Sequence, residues 1–268
     1  MSSISIVIPC YNSAHFLPEA IESVENYSGK NSYEVVIVDD GSTEIETLEL
    51  LKVYDKKGYT ILYQPNKGPA AARNNGIKNS KSEYILLLDS DNKIRSNYID
   101  EGIQALEDDV DVAVVYGNPF FFGDAQQRVN FKSRDFDIKT IIAENYIDMC
   151  AVVRKSAWQD VSGLDEERLL MGHEDWEFWI NLYKRGWKFK YIDEILFDYR
   201  VRENSLLAQT SGSRYIEKVH YIYKKHVEVI YPNYLELLTD KTIFGNDIQR
   251  PFRSLFKYIN IKYFKRTR

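Results

Sequence analysis

Asp89-Ser90-Asp91 places two carboxylates one residue apart, directly after the apolar run 84–88. Both can turn toward one ligand, and carboxylate oxygens suit hard divalent cations such as Mg²⁺ or Mn²⁺ bridging to a diphosphate. The same triplet also serves as an Asx-type turn that merely leaves a strand. Asp39-Asp40-Gly41-Ser42 offers two more acids. They can accept hydrogen bonds from a base or sugar, or turn the chain into the next helix. Asn66-Lys67-Gly68-Pro69 followed by Arg73 can supply a cation to phosphate or base; otherwise Arg73 is an ordinary surface helix residue. Glu174-Asp175 precedes a Trp-rich helical segment, where acids are favoured by the macrodipole and the free N–H groups, so capping accounts for them. As a general base, an acid there is kept ionised by the helix N-terminus and aimed into a cleft. Trp176 and Trp179 read as core rather than as sugar-stacking surfaces.

These residues sit at the ends of elements that must position them. Residues 4–8 form a strand closed by Pro9, and Leu17, Ala20, Ile21 and Val24 follow at helical spacing with Pro18 in the first turn. Residues 35–38 are a second strand. Thr43 and Glu46 make a capping-box pattern ahead of Leu48 and Leu51. Residues 59–63 are a third strand, Pro69 opens an alanine-rich helix, and 84–88 and 112–116 are the fourth and fifth strands. Strands without polar alternation, separated by helices, predict an α/β fold with a parallel sheet covered on both faces. The polar clusters Pro9-Cys10-Tyr11-Asn12, Asp39–Ser42 and Asp89-Ser90-Asp91 fall at C-terminal strand ends, the edge where open α/β sheets bind ligands. Beyond Phe122, residues 123–146 read as an excursion over that edge and 147–153 as a strand. A helix runs from about Glu174 to a stop at Gly186, 189–192 and 195–199 are two short strands, and helical spacing returns from 214 to 231.

The chain has 268 residues, 44% hydrophobic and 14% aromatic, which suits one large domain or a domain with an appendage and excludes a disordered or collagen-like chain. No apolar stretch approaches the ~20 residues of a membrane span, and the run 4–8 is too short for a signal peptide. Cys10 and Cys150 cannot make a disulfide framework, and no Cys/His cluster suggests zinc, so a cytoplasmic setting is expected. The formal charge of −5 is unevenly spread. Residues 250–268 carry seven basic side chains and no acid, leaving −12 on the rest, which argues against a nucleic-acid partner.

In combination, Pro9-Cys10-Tyr11-Asn12, Val38-Asp39-Asp40-Gly41-Ser42, Lys67-Gly68 with Ala71-Ala72-Arg73-Asn74, Leu88-Asp89-Ser90-Asp91 and Gly172-His173-Glu174-Asp175 resemble family 2 glycosyltransferases of the GT-A fold over roughly residues 3–205. The resemblance implies a Rossmann-like, mostly parallel sheet flanked by helices in residues 1–210, with a nucleotide-binding half (1–117) and an acceptor half (118–210). Residues 211–268 would then be a helical C-terminal extension. It implies transfer of a hexose or N-acetylhexosamine from a UDP-sugar to a hydroxyl of a glycan, lipid-linked or glycoprotein acceptor, with inversion. Carried over residue by residue, Tyr11 beside Pro9 stacks on uracil and Asp40 recognises the base. Asn66, Arg73 and Ser90 complete the nucleotide pocket. Asp89 contacts ribose or metal, Asp91 ligates Mn²⁺ or Mg²⁺, and Asp175 is the catalytic base positioned by Glu174.

One position departs from the pattern. In Tyr199-Arg200-Val201-Arg202, many relatives carry a His where Arg202 stands. Arginine cannot ligate a metal but pairs bidentately with phosphate, so Arg202 is expected at the diphosphate, with the metal more weakly held. A sugar-phosphate nucleotidyltransferase would want a Gly-rich loop after the first strand, and a dinucleotide oxidoreductase a GxGxxG; neither is present. The non-enzymatic alternative is a catalytically weak nucleotide-sugar-binding subunit of a glycosyltransferase complex. The tail 250–268 interleaves its basic residues with Phe252, Phe256, Tyr258, Tyr263 and Phe264. That composition suits either peripheral contact with an anionic membrane surface, on the inner face of the plasma membrane, or packing on the domain or another subunit.

Overall fold

A computed structural model describes residues 2–124, 131–202 and 212–239; the basic tail 250–268 lies outside the described residues. The chain builds one eight-stranded sheet in the order β3-β2-β1-β4-β7-β6-β8-β5. β1 (Ser3–Cys10), β2 (Ser32–Asp39), β3 (Thr60–Tyr63) and β4 (Tyr84–Leu87) form its parallel half. β7 (Val152–Arg154) inserts antiparallel between β4 and β6 (Val112–Gly123). β8 (Lys188–Val201) pairs parallel with β6, and the two-residue β5 (Lys93–Ile94) pairs antiparallel at its edge. The sheet is therefore mixed but mostly parallel, an α/β architecture as expected.

Alternation along the strands sends side chains to two cores. Val7, Val36, Val38 and Leu87 belong to the core shared with α3 (Pro69–Asn79), α5 (Ile138–Ile141), α6 (Lys155–Asp160) and α7 (Glu174–Lys184). Ile6, Ile8, Ile37 and Leu86 face α1 (Leu17–Glu25), α2 (Ile45–Lys56) and α4 (Tyr98–Asp108). In α1 the residues buried are Leu17, Ala20, Ile21 and Val24, as their spacing requires. α3 lies close on the sheet because Gly76 has no side chain: a Cβ there would fall 2.4 Å from a methyl of Val7.

Several local expectations fail for identifiable reasons. The Thr43/Glu46 capping box does not form. α2 starts at Ile45 without a side-chain cap, and Asn12 Oδ1 instead accepts the backbone N–H groups of Thr43 and Glu44 at 2.8 and 3.1 Å. The strand read over 147–153 shrinks to Val152–Arg154, because the backbone N–H groups of Ile147 and Cys150 donate to Asn145 Oδ1 and Asp148 Oδ1 instead of to a neighbouring strand. The two short strands at 189–192 and 195–199 are one strand, β8, which absorbs Asp193-Glu194 through register shifts against β6 near Asn118. The helical stretch from 214 to 231 is two helices, α8 (Ser213–Lys225) and α9 (Val227–Thr239), broken at His226, whose buried ring lies against Glu177 Oε1 at 2.7 Å. α4 was not foreseen. Among the described residues, no helix is long and apolar enough to cross a membrane.

Candidate active site

The C-terminal ends of β1, β2 and β4 open into a cavity of about 710 Å³ whose opposite wall is the N-terminus of α7. Tyr11, at the end of β1, is 49% exposed and presents its ring to this space, with Pro9 and Ser13 beside it. Asn12 adopts φ +50, a conformation asparagine tolerates, and its bonds to the 43–44 backbone tie the end of β1 to the loop after β2.

Asp39 and Asp40 divide the two tasks that the sequence left open. Asp39 Oδ1 accepts Ser42 N–H at 3.1 Å and makes the turn. Asp40 is buried and faces the cavity; it accepts Gln64 Nε2 and the N–H groups of Lys67 and Gly68, all at 2.8 Å. Gly41, the next residue, has φ +75, and a Cβ there would lie 2.7 Å from Asn66 N. Gly41→Ala is therefore expected to cost about 1–3 kcal/mol and to displace Asp40, read as a lower denaturation midpoint. Asn66 lines the same cavity, its carbonyl held by Arg168 Nη2 at 2.7 Å.

Arg73 is not a surface helix residue. Only 4% exposed, it bridges Asp89 Oδ1 at 2.5 Å and Glu174 Oε1 at 2.8 Å, partners 16 and 101 residues away in sequence. Burial alone would lower its pKa; Asp89 and Glu174 together more than offset that and raise it. Both Nη groups are thus engaged by carboxylates rather than held open for a phosphate. Ser90 Oγ bonds Ser13 Oγ at 3.0 Å. Asp91 Oδ2 is 2.6 Å from Arg202 Nη2, while Arg200 braces the turn through Asp91 O and Asn92 Oδ1. Arg202 therefore meets a carboxylate in this structure. Burial, then Asp89, pushes the Asp91 carboxyl up to about 6 despite that arginine.

On the far wall, Glu174 is 5% exposed and its Oε2 accepts Gly172 N–H. Asp175 accepts Trp176 N–H at 2.7 Å and Asn145 Nδ2 at 2.8 Å. The expectation that the helix N-terminus keeps Asp175 readily ionised is overturned: burial, then Glu174 and Asp148, raise its pKa well above the ordinary carboxylate range. Trp176 and Trp179 are core residues, as read, and bond the carbonyls of Ile141 and Ile147 at 2.6 and 3.1 Å. Those bonds hold the 141–147 segment, and with it Asn145, against α7.

Sequence reasoning missed Asp148, Asn145 and Arg200. Asp148 lines the cavity, accepts Cys150 N–H at 2.8 Å, and is pushed up to about 7 by burial and then by Asp89. Its place follows from β7 running antiparallel, which puts the start of that strand at the same sheet edge as the end of β4. An acid just ahead of an apolar run was the available signal. His173, in the loop that leads into α7, is likewise a buried part of the cavity wall.

A deep cleft at the C-terminal sheet edge, with an exposed aromatic ring, a buried acid and paired carboxylates facing a further pair of acids, stands where an open α/β sheet binds its ligand. Its carboxylates crowd one another, and their oxygens are the donors a hard divalent cation takes. Among the described residues no three His, Cys, Asp or Glu side chains are placed to share an ion. Two carboxylates completed by substrate phosphates fit Mg²⁺-type coordination without a third.

Residues 5–161 match the family model described as Glycosyl transferase family 2, so the chain belongs to that family and is a glycosyltransferase. The uncharacterized glycosyltransferase MJ1057 of Methanocaldococcus jannaschii is 26% identical over 237 residues, 83% of this chain and 81% of that one. Several other curated relatives are longer proteins, of which this chain spans less than a third. S. aureus TarS 1-349 in complex with UDP-GlcNAc superposes at TM-score 0.64, 20% identical, covering 97% of this chain and 72% of that one. The mannosyltransferase PcManGT from Pyrobaculum calidifontis, in complex with GDP-Man and Mn2+, superposes at 0.59, 14% identical, covering 96% and 80%. These likenesses identify the fold as GT-A.

Proposed function

We propose that the chain transfers a hexose or N-acetylhexosamine from a UDP-sugar to a hydroxyl of a glycan, lipid-linked or glycoprotein acceptor, with inversion at the anomeric carbon. The observation that carries this reading is one cavity lined at one end by Tyr11, Asp40, Asp89 and Asp91 and at the other by Asp175. Uracil stacks on Tyr11 beside Pro9, and Asp40, whose three donors hold its plane, accepts from the base. Asn66 and Ser90 complete the pocket, and Arg73 holds Asp89 and Glu174 in register instead of touching phosphate. Asp91, with Asp89, would hold Mn²⁺ or Mg²⁺, which when bound supplies positive charge to the departing diphosphate. Arg202, paired with Asp91, stands ready to exchange that carboxylate for a diphosphate oxygen.

The chemistry is a single displacement. Asp175 takes the acceptor hydroxyl proton as that oxygen bonds the anomeric carbon, and the bond from that carbon to the diphosphate oxygen breaks on the opposite face, releasing UDP. A raised pKa makes ionised Asp175 a stronger base, but one that is lost sooner as pH falls. The acid limb of kcat/KM is therefore expected above the ordinary carboxylate range. Asp148→Asn, which removes one of the charges raising Asp175, is expected to move that limb to lower pH in a pH–rate profile.

The test is hydrolysis and transfer across a nucleotide-sugar panel with Mn²⁺, Mg²⁺ or EDTA. UDP-sugars are expected to turn over fastest and EDTA to lower the rate roughly tenfold or more. No turnover with any donor would instead favour the second reading, a catalytically weak nucleotide-sugar-binding subunit, for which the Arg202–Asp91 pair is the supporting observation. Free, buried Cys10 and Cys150 suit a cytoplasmic setting. The tail 250–268 is assigned to peripheral membrane contact or self-association, which liposome co-sedimentation with and without it separates.

A further inference from the structure

The acceptor must reach Asp175 from the side away from Tyr11 and Asp91, and that wall is built by the 144–149 segment, Met171–Trp176 and α8. His173 is 7% exposed and lines the cavity, and its Nδ1 has no hydrogen-bond partner. Its ring meets the cavity-lining ring of Tyr215 edge-on, with centroids 5.5 Å apart, and lies 6.2 Å from that of Trp176. α8 is anchored at Lys218, one turn from Tyr215, and at its C-terminal end. Lys218 Nζ donates to Met171 O, and Lys225 Nζ and His226 Nε2 meet the fully buried Glu177 Oε1 at 2.8 and 2.7 Å. The corner thus combines fixed ring surfaces with a buried, unpartnered imidazole nitrogen beside the proposed base.

Its charge is mixed but mainly acidic, with Lys218, and Arg214 near it, as the cations closest to His173. Glu144, Asp148, Glu174 and Asp175 line this end of the cavity. Arg73 is already bound to two carboxylates, and Lys218 is turned onto a carbonyl. The cations Arg200 and Arg202 belong to the opposite end, beside Phe16 and Asp91. Aromatic faces suit the C–H face of a pyranose, and an imidazole and carboxylates suit its hydroxyls, whereas a further anion would add to crowded like charge. Burial, then Lys218, takes His173 down to about 4. The ring is therefore neutral at neutral pH, with one nitrogen to donate and one to accept.

Building on the donor assignment above, we infer that His173 and Tyr215 form the acceptor subsite and that it takes an uncharged sugar ring in preference to a phosphorylated or carboxylated one. Saturation-transfer NMR tests this on the full chain with UDP and Mg²⁺ present. The probes are the methyl glycosides of glucose, galactose, mannose, N-acetylglucosamine and N-acetylgalactosamine, together with the matching 6-phosphates. At least one methyl glycoside is expected to bind, and its signal to fall about fivefold or more in Tyr215→Ala and in His173→Ala while the UDP signal persists. The 6-phosphate of that sugar is expected to bind about tenfold more weakly. Should either alanine variant fail to fold, Tyr215→Leu or His173→Leu replaces it with the same expected loss. Bound UDP without any bound glycoside, glycoside binding that survives both substitutions, or equal binding of the 6-phosphate overturns the subsite. Absent UDP binding overturns the donor assignment, and the subsite with it.

Discussion

Asp175→Asn is expected to lower kcat by about 10²–10⁴-fold, the range over which a positioned general base contributes, while the protein stays folded. An amide keeps the shape of the side chain but cannot take the acceptor proton. KM for the UDP-sugar is expected to change little, because Asp175 stands across the cavity from Tyr11 and Asp40. Stability should move the other way from activity. The Asp175 carboxyl is raised in the folded chain by burial, Glu174 and Asp148, so folding favours its protonated form. That stabilising preference is complete below the unfolded-state pKa and is lost as pH rises through the folded-state value. At neutral pH, where the unfolded chain ionises this group, burying it is a cost, and removing it should leave the melting temperature unchanged or higher. A variant that is both inactive and strongly destabilised would show that Asp175 is structural and sink its assignment as base.

Arg73→Ala is expected to do the reverse and cost about 3–5 kcal/mol, the usual penalty for stranding one half of a buried ion pair. For a chain of this size that corresponds to a fall in Tm of roughly 10 °C. Glu174, 6% exposed in its side chain, would lose its cationic partner, and Asp89 would lose the contact that fixes it. Arg73→Lys should rescue little, since an ammonium has no planar fork to span two carboxylates. The double variant Arg73→Met with Glu174→Gln should recover stability without recovering turnover, because it removes the stranded charge but not the need for an ordered Asp89 and Asp175. If Arg73→Ala unfolds at the wild-type denaturant concentration, the bridge is not holding the two walls together.

Both outcomes bear on a division between local and non-local information in this chain. The parallel half of the sheet was legible because each strand there is a short β-branched run ended by turn chemistry. Ile6, Val7 and Ile8, or Val36, Ile37 and Val38, are buried whichever strand lies beside them. The amphipathic face of α1 and the start of α7 at Glu174 were equally local. Asp40, Asp89, Asp91 and Asp175 could be singled out because a polar cluster after an apolar strand, or an acid opening a helix, is visible within a few residues. Their meeting in one cavity could only be expected.

Tertiary structure decided what depends on partners far along the chain. Reversal of β7 brought Asp148 to the sheet edge, and the two indole bonds to Ile141 and Ile147 set Asn145 under Asp175. Asp193-Glu194 looked like a turn and became part of a continuous strand, because pairing with β6 satisfied the backbone on either side. Asn12 displaced the Thr43/Glu46 capping box from 31 residues before Thr43. Arg73, read from sequence as a nucleotide-pocket cation or a surface helix residue, became the link between two walls because burying a guanidinium requires carboxylates, and the fold supplies them from the end of β4 and from α7. The amino-acid sequence alone determined which segments would be buried and which chemical groups stood at their ends, since burial and turn propensity are properties of a few neighbouring residues. Strand direction, pairing and the mutual electrostatics of the acids exist only once distant segments pack, and only the tertiary structure decided them.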